Sequence, residues 1–170
     1  QTSQAGDFQL LHAKGSDGER ADFMPILQTM KAGDEVSLSP THGRSSDTSS
    51  FPFFNIITPD GKGAVIAVGW TGTWLADIVC DDDRSVRLTT GMKRLDTYLY
   101  PQESIRTPRV AMLFWQGGDY MLGQNAFRQF ILKHHTHKVD DGYGHTPLCG
   151  GFDWGDPSPC NEYSCLTEEY

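Results

Sequence analysis

No long hydrophobic run is present: nothing in the 170 residues approaches the roughly 20 consecutive apolar positions that a membrane-spanning helix needs. Positive charge is also scarce, with 14 Lys and Arg against 22 Asp and Glu and a formal net charge of -8. Clustered cations hold a phosphate backbone or an anionic bilayer, so neither nucleic acid nor a membrane is expected as a partner. The opening QTSQAGDF lacks the basic and apolar regions of a secretory signal, although a signal can be removed. Cysteine is sparse. Cys80, Cys149, Cys160 and Cys165 permit three full pairings, and the chain is too long for the small disulfide-scaffold class. Cys149 and Cys160 could close a small loop in a secreted protein or remain buried thiols, and Cys160 and Cys165 lack the CxxC spacing of a zinc ribbon. The compartment stays open, with secretion or the periplasm favoured over the cytoplasm. Also missing are a nucleophile elbow, a P-loop and a dinucleotide fingerprint, so no cofactor is expected.

What is present is β-strand patterning. FQLLHAK from Phe8 reads as a strand, GSDGERADFMP as a polar surface connection, and KAGDEVSLSP as a turn and a short strand ending at Pro40. FPFFNIIT, the turn PDGKG and AVIAVGW form a β-hairpin, with Gly61 and Gly63 expected to supply the turn. Trp74 to Cys80 gives a third strand, DDDR a turn, and SVRLTTGMKRLDTYLY one or two more, so the order suggests a meander. RVAMLFWQ is an almost unbroken apolar run, expected near the middle of a sandwich. The period then changes. Asp119 can cap a helix running to His135, with Gly123, Phe127, Phe130, Ile131 and His134 on one face. THKVDDGYGHTP reads as a linker or long loop, and LCGGFDWGDPSPCNEYSC as an ordered irregular segment. The expected fold is mainly β: an antiparallel β-sandwich closed by one α-helix over residues 1–135, then an irregular segment over 136–170.

At the end of the sequence, TEEY looks like a helix start, with Thr167 as cap and Glu168 and Glu169 favourably placed at the positive end of the helix dipole. A helix this short has little stability alone, so a chain continuing into a further domain is expected.

Four tryptophans, Trp70, Trp74, Trp115 and Trp154, are candidates for stacking on the CH face of a sugar. The competing account of each is core packing, which suits Trp115 at the end of a strand better than Trp70 and Trp74, which flank a turn. HGRSSDTSS, His42 to Ser50, sets a guanidinium, several hydroxyls and a carboxylate before a strand, a set suited to sugar hydroxyls, although a solvated serine loop has the same composition. His134, His135, His137 and His145 invite a metal reading. Adjacent helical residues point about 100° apart, so the cluster does not prescribe convergent ligands, and cations at a helix C-terminus account for it; no metal is expected. Asp153 and Asp156 could be a glycosidase carboxylate pair, but nothing in a loop sets their separation.

Several stretches together carry a resemblance. GRSSDTSSFPFFNIITPDGKGAVIAVGWTGTWLADI, then VRLTTGM, YPQESIRTPRVAMLFWQG and NAFRQFILKHH, resemble the amino-terminal β-sandwich, or supersandwich, of α-galactosidases in glycoside hydrolase family 36. A GRSS-like segment there leads through a PF strand to a (Y/W)-(S/T)-G-x-(F/W) signature, matched by Trp70, Thr71, Gly72, Thr73 and Trp74; a P-x-E-x-(F/I)-x-(T/S)-P segment is matched from Pro101 to Pro108. The resemblance covers about Gly43 to His135 and continues through FDWGDP and TEEY as the approach to a catalytic (β/α) barrel. It implies that the catalytic aspartates lie in a barrel after Tyr170, leaving no catalytic residue in this chain. The family's sandwich also has strands before the first one found here, so the resemblance implies that Gln1 is an internal start, with part of the sheet absent or completed by a neighbour; an unpaired edge would favour association into a homo-oligomer. By the same resemblance, Arg44, Ser45, Ser46, Asp47, Trp70 and Trp74 would face the barrel mouth and help bind an α-galactoside or related oligosaccharide. Asp47, Thr48 and Ser49 replace a His-Gln-like stretch of many members, which admits a related α-glycoside or N-acetylgalactosamine. Two alternatives stand beside this: a free-standing carbohydrate-binding module, and a galactose-mutarotase-like epimerase using His42 and Glu103.

Overall fold

The structure, a computed structural model, describes residues 6–16, 18–81, 85–139 and 142–143. Its strands are β1 (Phe8–Ala13), β2 (Pro25–Met30), β3 (Glu35–Leu38), β4 (Phe53–Ile57), β5 (Lys62–Gly69), β6 (Trp74–Cys80), β7 (Val86–Met92) and β8 (Arg109–Gln116). Helix α1 (Tyr120–His134) follows, then the short β9 (Lys138–Val139) and β10 (Gly142–Tyr143). The chain separates into two units, Gln1–His134 and His135–Tyr170; the second contributes the β9–β10 hairpin to the described residues.

The first unit is mainly β. A five-stranded antiparallel sheet in the order β2-β1-β4-β5-β8 faces a three-stranded one, β3-β6-β7. The sequence order is therefore not a simple meander, because β3, β6 and β7 leave the larger sheet to build the smaller one. Alternation places the core. On β6, Trp74, Ala76, Ile78 and Cys80 point inward and are at most 1% exposed, meeting Leu10, Phe54, Ile66 and Val68 of the larger sheet.

The opposite face of the larger sheet carries a second core, where Leu11, Ile57, Val65, Ala67 and, on β8, Trp115 pack with Phe127 of α1. β5 is covered on both faces, which accounts for its continuous apolar sequence. Asp119 caps α1 by accepting the Met121 N–H at 2.9 Å, and Gly123 and Phe127 form its buried stripe.

Two local expectations are corrected by the tertiary arrangement, and one strand appears where none was expected. PILQTM forms β2, an edge strand paired with β1 but exposed at five of its six residues, so its sequence carries little burial signal. RVAMLFWQ forms an edge strand rather than a central one: Met112 is 51% and Phe114 75% exposed because the smaller sheet does not extend over β8. Gly61 supplies the hairpin turn with φ of 76°, whereas Gly63 lies within β5 opposite Ile57. Only one strand comes from SVRLTTGMKRLDTYLY, since residues 93–107 are exposed and outside any strand.

Trp115 lies between two glycines. A Cβ on Gly63 would sit 2.6 Å from its Cζ2, and one on Gly123 would sit 2.6 Å from its Nε1. The indole N–H donates to Asn55 Oδ1 at 2.9 Å, so the ring is fixed on both sides and at its edge. Gly123→Ala gains about 1 kcal/mol of helix propensity but forces overpacking worth about 1–3 kcal/mol. A net loss of about 1 kcal/mol is expected in urea unfolding; a stabilised variant would show that α1 can move away from the sheet.

Candidate functional site

The segment joining β3 to β4 is built around one carboxylate. Asp47 is fully buried, and its Oδ2 accepts the N–H groups of Thr41 at 2.6 Å and His42 at 2.8 Å. Its Oδ1 accepts those of Ser49 at 2.8 Å and Ser50 at 3.3 Å. His42 Nδ1 lies 3.0 Å from Oδ2, and Thr41 Oγ1 donates to the same oxygen at 3.3 Å. Burial alone would raise the Asp47 pKa. Hydrogen bonds from the Ser49, Thr41 and His42 backbones and the His42 ring outweigh that effect and hold the carboxyl well below the usual carboxylate range.

Residues at or just beyond the ends of three strands, β6, β3 and β1, anchor this loop. The Trp74 indole N–H donates to the Ser45 carbonyl at 2.7 Å, while Ser39 Oγ donates to the Trp74 carbonyl at 2.8 Å. The Ser39 N–H meets Ser50 Oγ at 3.1 Å. Beyond the end of β1, the Gly15 N–H donates to the Asp47 carbonyl at 2.7 Å, and a Cβ at Gly15 would collide with Ser46 Oγ and stand 2.9 Å from the Asp47 nitrogen. The loop is thus preorganised rather than a loose serine tract.

The sequence-expected residues divide by role. Arg44 is exposed and makes no ion pair among the described residues, and Ser45 and Ser46 are half-buried. Asp47 is inside the loop, where its oxygens are occupied by the contacts above. Trp74 is fully buried, so it meets the loop through its N–H while its ring belongs to the inter-sheet core. Trp70 is half-buried, packs against the edge of that core and folds over Gly72, whose Cβ would stand 3.1 Å from the Trp70 Nε1.

Gly15 and Ser39 complete the arrangement without having stood out in sequence, and Ser50, the last hydroxyl of HGRSSDTSS, turns inward to bind the Ser39 N–H. Gly15 had only the signal of a glycine after a strand, and Ser39 is recognisable only by its contacts with Trp74 and Ser50 across the fold.

Trp115 is a core residue at 8% exposure. The thiol of buried Cys80 is pushed up by burial and by the carboxylates of Asp34, Asp81 and Asp7, as suits an inert core cysteine. His42 is engaged by Asp47, whereas Glu103 accepts the Tyr100 N–H at 2.9 Å in the connection before β8. His134 closes α1 with its ring 5.2 Å from that of Phe130, and among the described residues no three His, Cys, Asp or Glu side chains are grouped to hold a metal ion. Trp154, His145, Asp153, Asp156, Cys149, Cys160 and Cys165 lie outside the described residues.

No family model matches the chain, and a search of curated proteins finds no matching relative. Solved structures do match. The α-galactosidase from Lactobacillus brevis superimposes with a TM-score of 0.63 at 20% identity, over 77% of this chain and 18% of that one. The family 36 α-galactosidase AgaA from Geobacillus stearothermophilus gives a TM-score of 0.55 at 23% identity, over 67% of this chain and 16% of that one. The fold is that of the amino-terminal portion of family 36 α-galactosidases. A doubly substituted AgaA in complex with raffinose gives the same score and identity, over 68% of this chain. The chain therefore spans less than a fifth of the length of the structures it matches.

Proposed function

We propose that this chain is the non-catalytic β-sandwich portion of an α-galactosidase-like glycoside hydrolase, in which residues 1–135 form the sandwich and 136–170 lead towards a (β/α) barrel in the same parent protein. The observation that carries this reading is the structural likeness to the amino-terminal portion of family 36 enzymes. The braced loop from Thr41 to Ser50 is its contribution to the sugar pocket. Arg44, Ser45 and Ser46 would offer hydrogen bonds to sugar hydroxyls, Trp70 part of an aromatic face, and Asp47 and Trp74 would hold the loop in place. Its substrate class is an α-galactoside or a closely related oligosaccharide. Trp74 supports the site from within the core and is not expected to stack on sugar itself.

The native protein, recovered with an antibody against this chain, is expected to be several times heavier than 18.9 kDa and to hydrolyse raffinose or an aryl α-galactoside. In that parent enzyme, Arg44→Ala should raise KM about tenfold, the equivalent of ~1.4 kcal/mol of lost binding, with a much smaller change in kcat. A native species of 18.9 kDa, or hydrolysis by the isolated chain, would overturn the proposal.

A further inference from the structure

The outer face of the five-stranded sheet is covered unevenly. α1 packs on β8, β5 and β4 and, among the described residues, leaves β2 uncovered beside it, with Leu27 50% exposed next to buried Leu11 of β1. A groove of about 660 Å³ runs along this border, within the size range of small-molecule sites. Leu11, Phe51 and Phe53 form its sheet side, and Met121, Phe127 and Leu132 its helix side. The rings are arranged in sequence: Phe51 meets Phe53 edge-on with centroids 4.9 Å apart, and Phe53 meets Phe127 at 5.2 Å.

Phe23 also lines the groove, and its backbone is in the left-handed region with φ of 57°. Asp22 braces the preceding turn, its Oδ2 accepting the N–H groups of Gly18 at 3.0 Å and Glu19 at 3.2 Å. The Phe23 ring stands edge-on to Phe51 at 5.2 Å yet remains 50% exposed. A bulky side chain held in this backbone region beside an open trough has the character of a ligand clamp, where local strain is retained because the ring must point one way.

Charge adds a direction. Arg128 lines the groove from α1, on the same stripe as Gln124 and Leu132, and makes no ion pair among the described residues. Tyr120 and Gln124 supply further polar groups at the same wall. An exposed guanidinium with no ion-pair partner among the described residues, set beside an aromatic trough, is complementary to a molecule that is apolar along its length and anionic at one end.

We propose that this groove is a binding site for a small amphiphilic anion, its hydrocarbon body lying along the phenylalanines and its carboxylate or phosphate head on Arg128. The ligand class differs from the sugar assigned to the Thr41–Ser50 loop, and the site does not depend on that assignment.

The test is titration of the chain with decanoate, decyl phosphate and decanol, each below its aggregation threshold, followed by calorimetry and by chemical-shift changes at Phe23 and Phe53. Saturable binding at one site is expected, with at least one of the anions about tenfold tighter than decanol; whichever anion binds more tightly identifies the head group. Arg128→Ala, a change on the exposed helix surface, should abolish that preference while leaving decanol binding intact. Phe23→Asn, which suits the left-handed backbone but removes the ring, should weaken all three ligands. Absence of saturable binding, equal affinity for anion and alcohol, or an Arg128→Ala variant that keeps the preference would each overturn the proposal.

Discussion

Trp74→Ala should lower the stability of the sandwich by about 3–5 kcal/mol, a large share of the roughly 5–15 kcal/mol that holds a typical domain together. The indole is fully buried where the two sheets meet, among Leu10, Phe54, Ile66 and Ile78, so truncation leaves a cavity that neither sheet can fill without shifting. It also strands the Ser45 carbonyl, which accepts the indole N–H at 2.7 Å. Trp74→Phe separates the effects: it retains most of the apolar volume but loses that hydrogen bond, and should cost about 1–3 kcal/mol. Urea unfolding followed by circular dichroism measures both. A loss below about 1 kcal/mol for the alanine variant would show that this ring is not a core element.

Asp47→Ala should be the next most damaging substitution, at about 2–4 kcal/mol, because it removes the acceptor for the N–H groups of Thr41, His42, Ser49 and Ser50 together. Asp47→Asn should recover less than half of this loss. It keeps one acceptor oxygen but turns an NH2 group towards N–H donors.

The pH dependence follows from the direction of the Asp47 shift. Its carboxyl titrates lower in the folded chain than the ordinary value of 3.8, so between the two values the unfolded chain binds more protons. The stabilisation is fully present above the ordinary carboxylate range and is lost as pH falls through it towards the folded value. Asp60, whose pKa is lowered by its hydrogen bonds to Lys62 and Thr58, contributes in the same direction. The difference between wild type and Asp47→Asn isolates Asp47: their unfolding free energies should converge on acidification. A constant gap down to the onset of acid unfolding would mean that Asp47 is not held as a buried carboxylate.

Much of the fold was legible because period-two alternation is a local property. β6 reads correctly from Trp74 to Cys80, the β4–β5 hairpin from two apolar runs around a glycine turn, and α1 from Asp119 and the three-and-four-residue spacing after it. β2 was not legible because five of its six residues are exposed and β1 supplies its pairing from elsewhere in the chain. β8 misled for the converse reason. An apolar run shows which side chains can be covered, but whether another sheet reaches them depends on distant elements, and Phe114 remains 75% exposed.

The candidate loop was legible by composition and not by role. Arg44, Ser45 and Ser46 occupy a surface connection as expected, but nothing in HGRSSDTSS distinguishes an aspartate facing solvent from one enclosed by backbone N–H groups. Likewise, the spacing of Trp70 and Trp74 around a turn suggested two exposed rings, yet strand alternation carries Trp74 into the inter-sheet core and leaves Trp70 half-buried at its edge.

By itself the sequence determined an antiparallel β-rich chain with a capped helix, a polar loop before the central hairpin and too little positive charge for a nucleic-acid or anionic-membrane surface, because propensity, alternation and composition act over a few residues. Only the tertiary structure decided which sheet each strand joined, that Asp47 and Trp74 organise the loop from within, and that an apolar groove stays open beside α1. Those outcomes rest on contacts such as Trp74 to Ser45, 29 residues apart, and Trp74 to Ser39, 35 residues apart, which form only once the strands have chosen their partners.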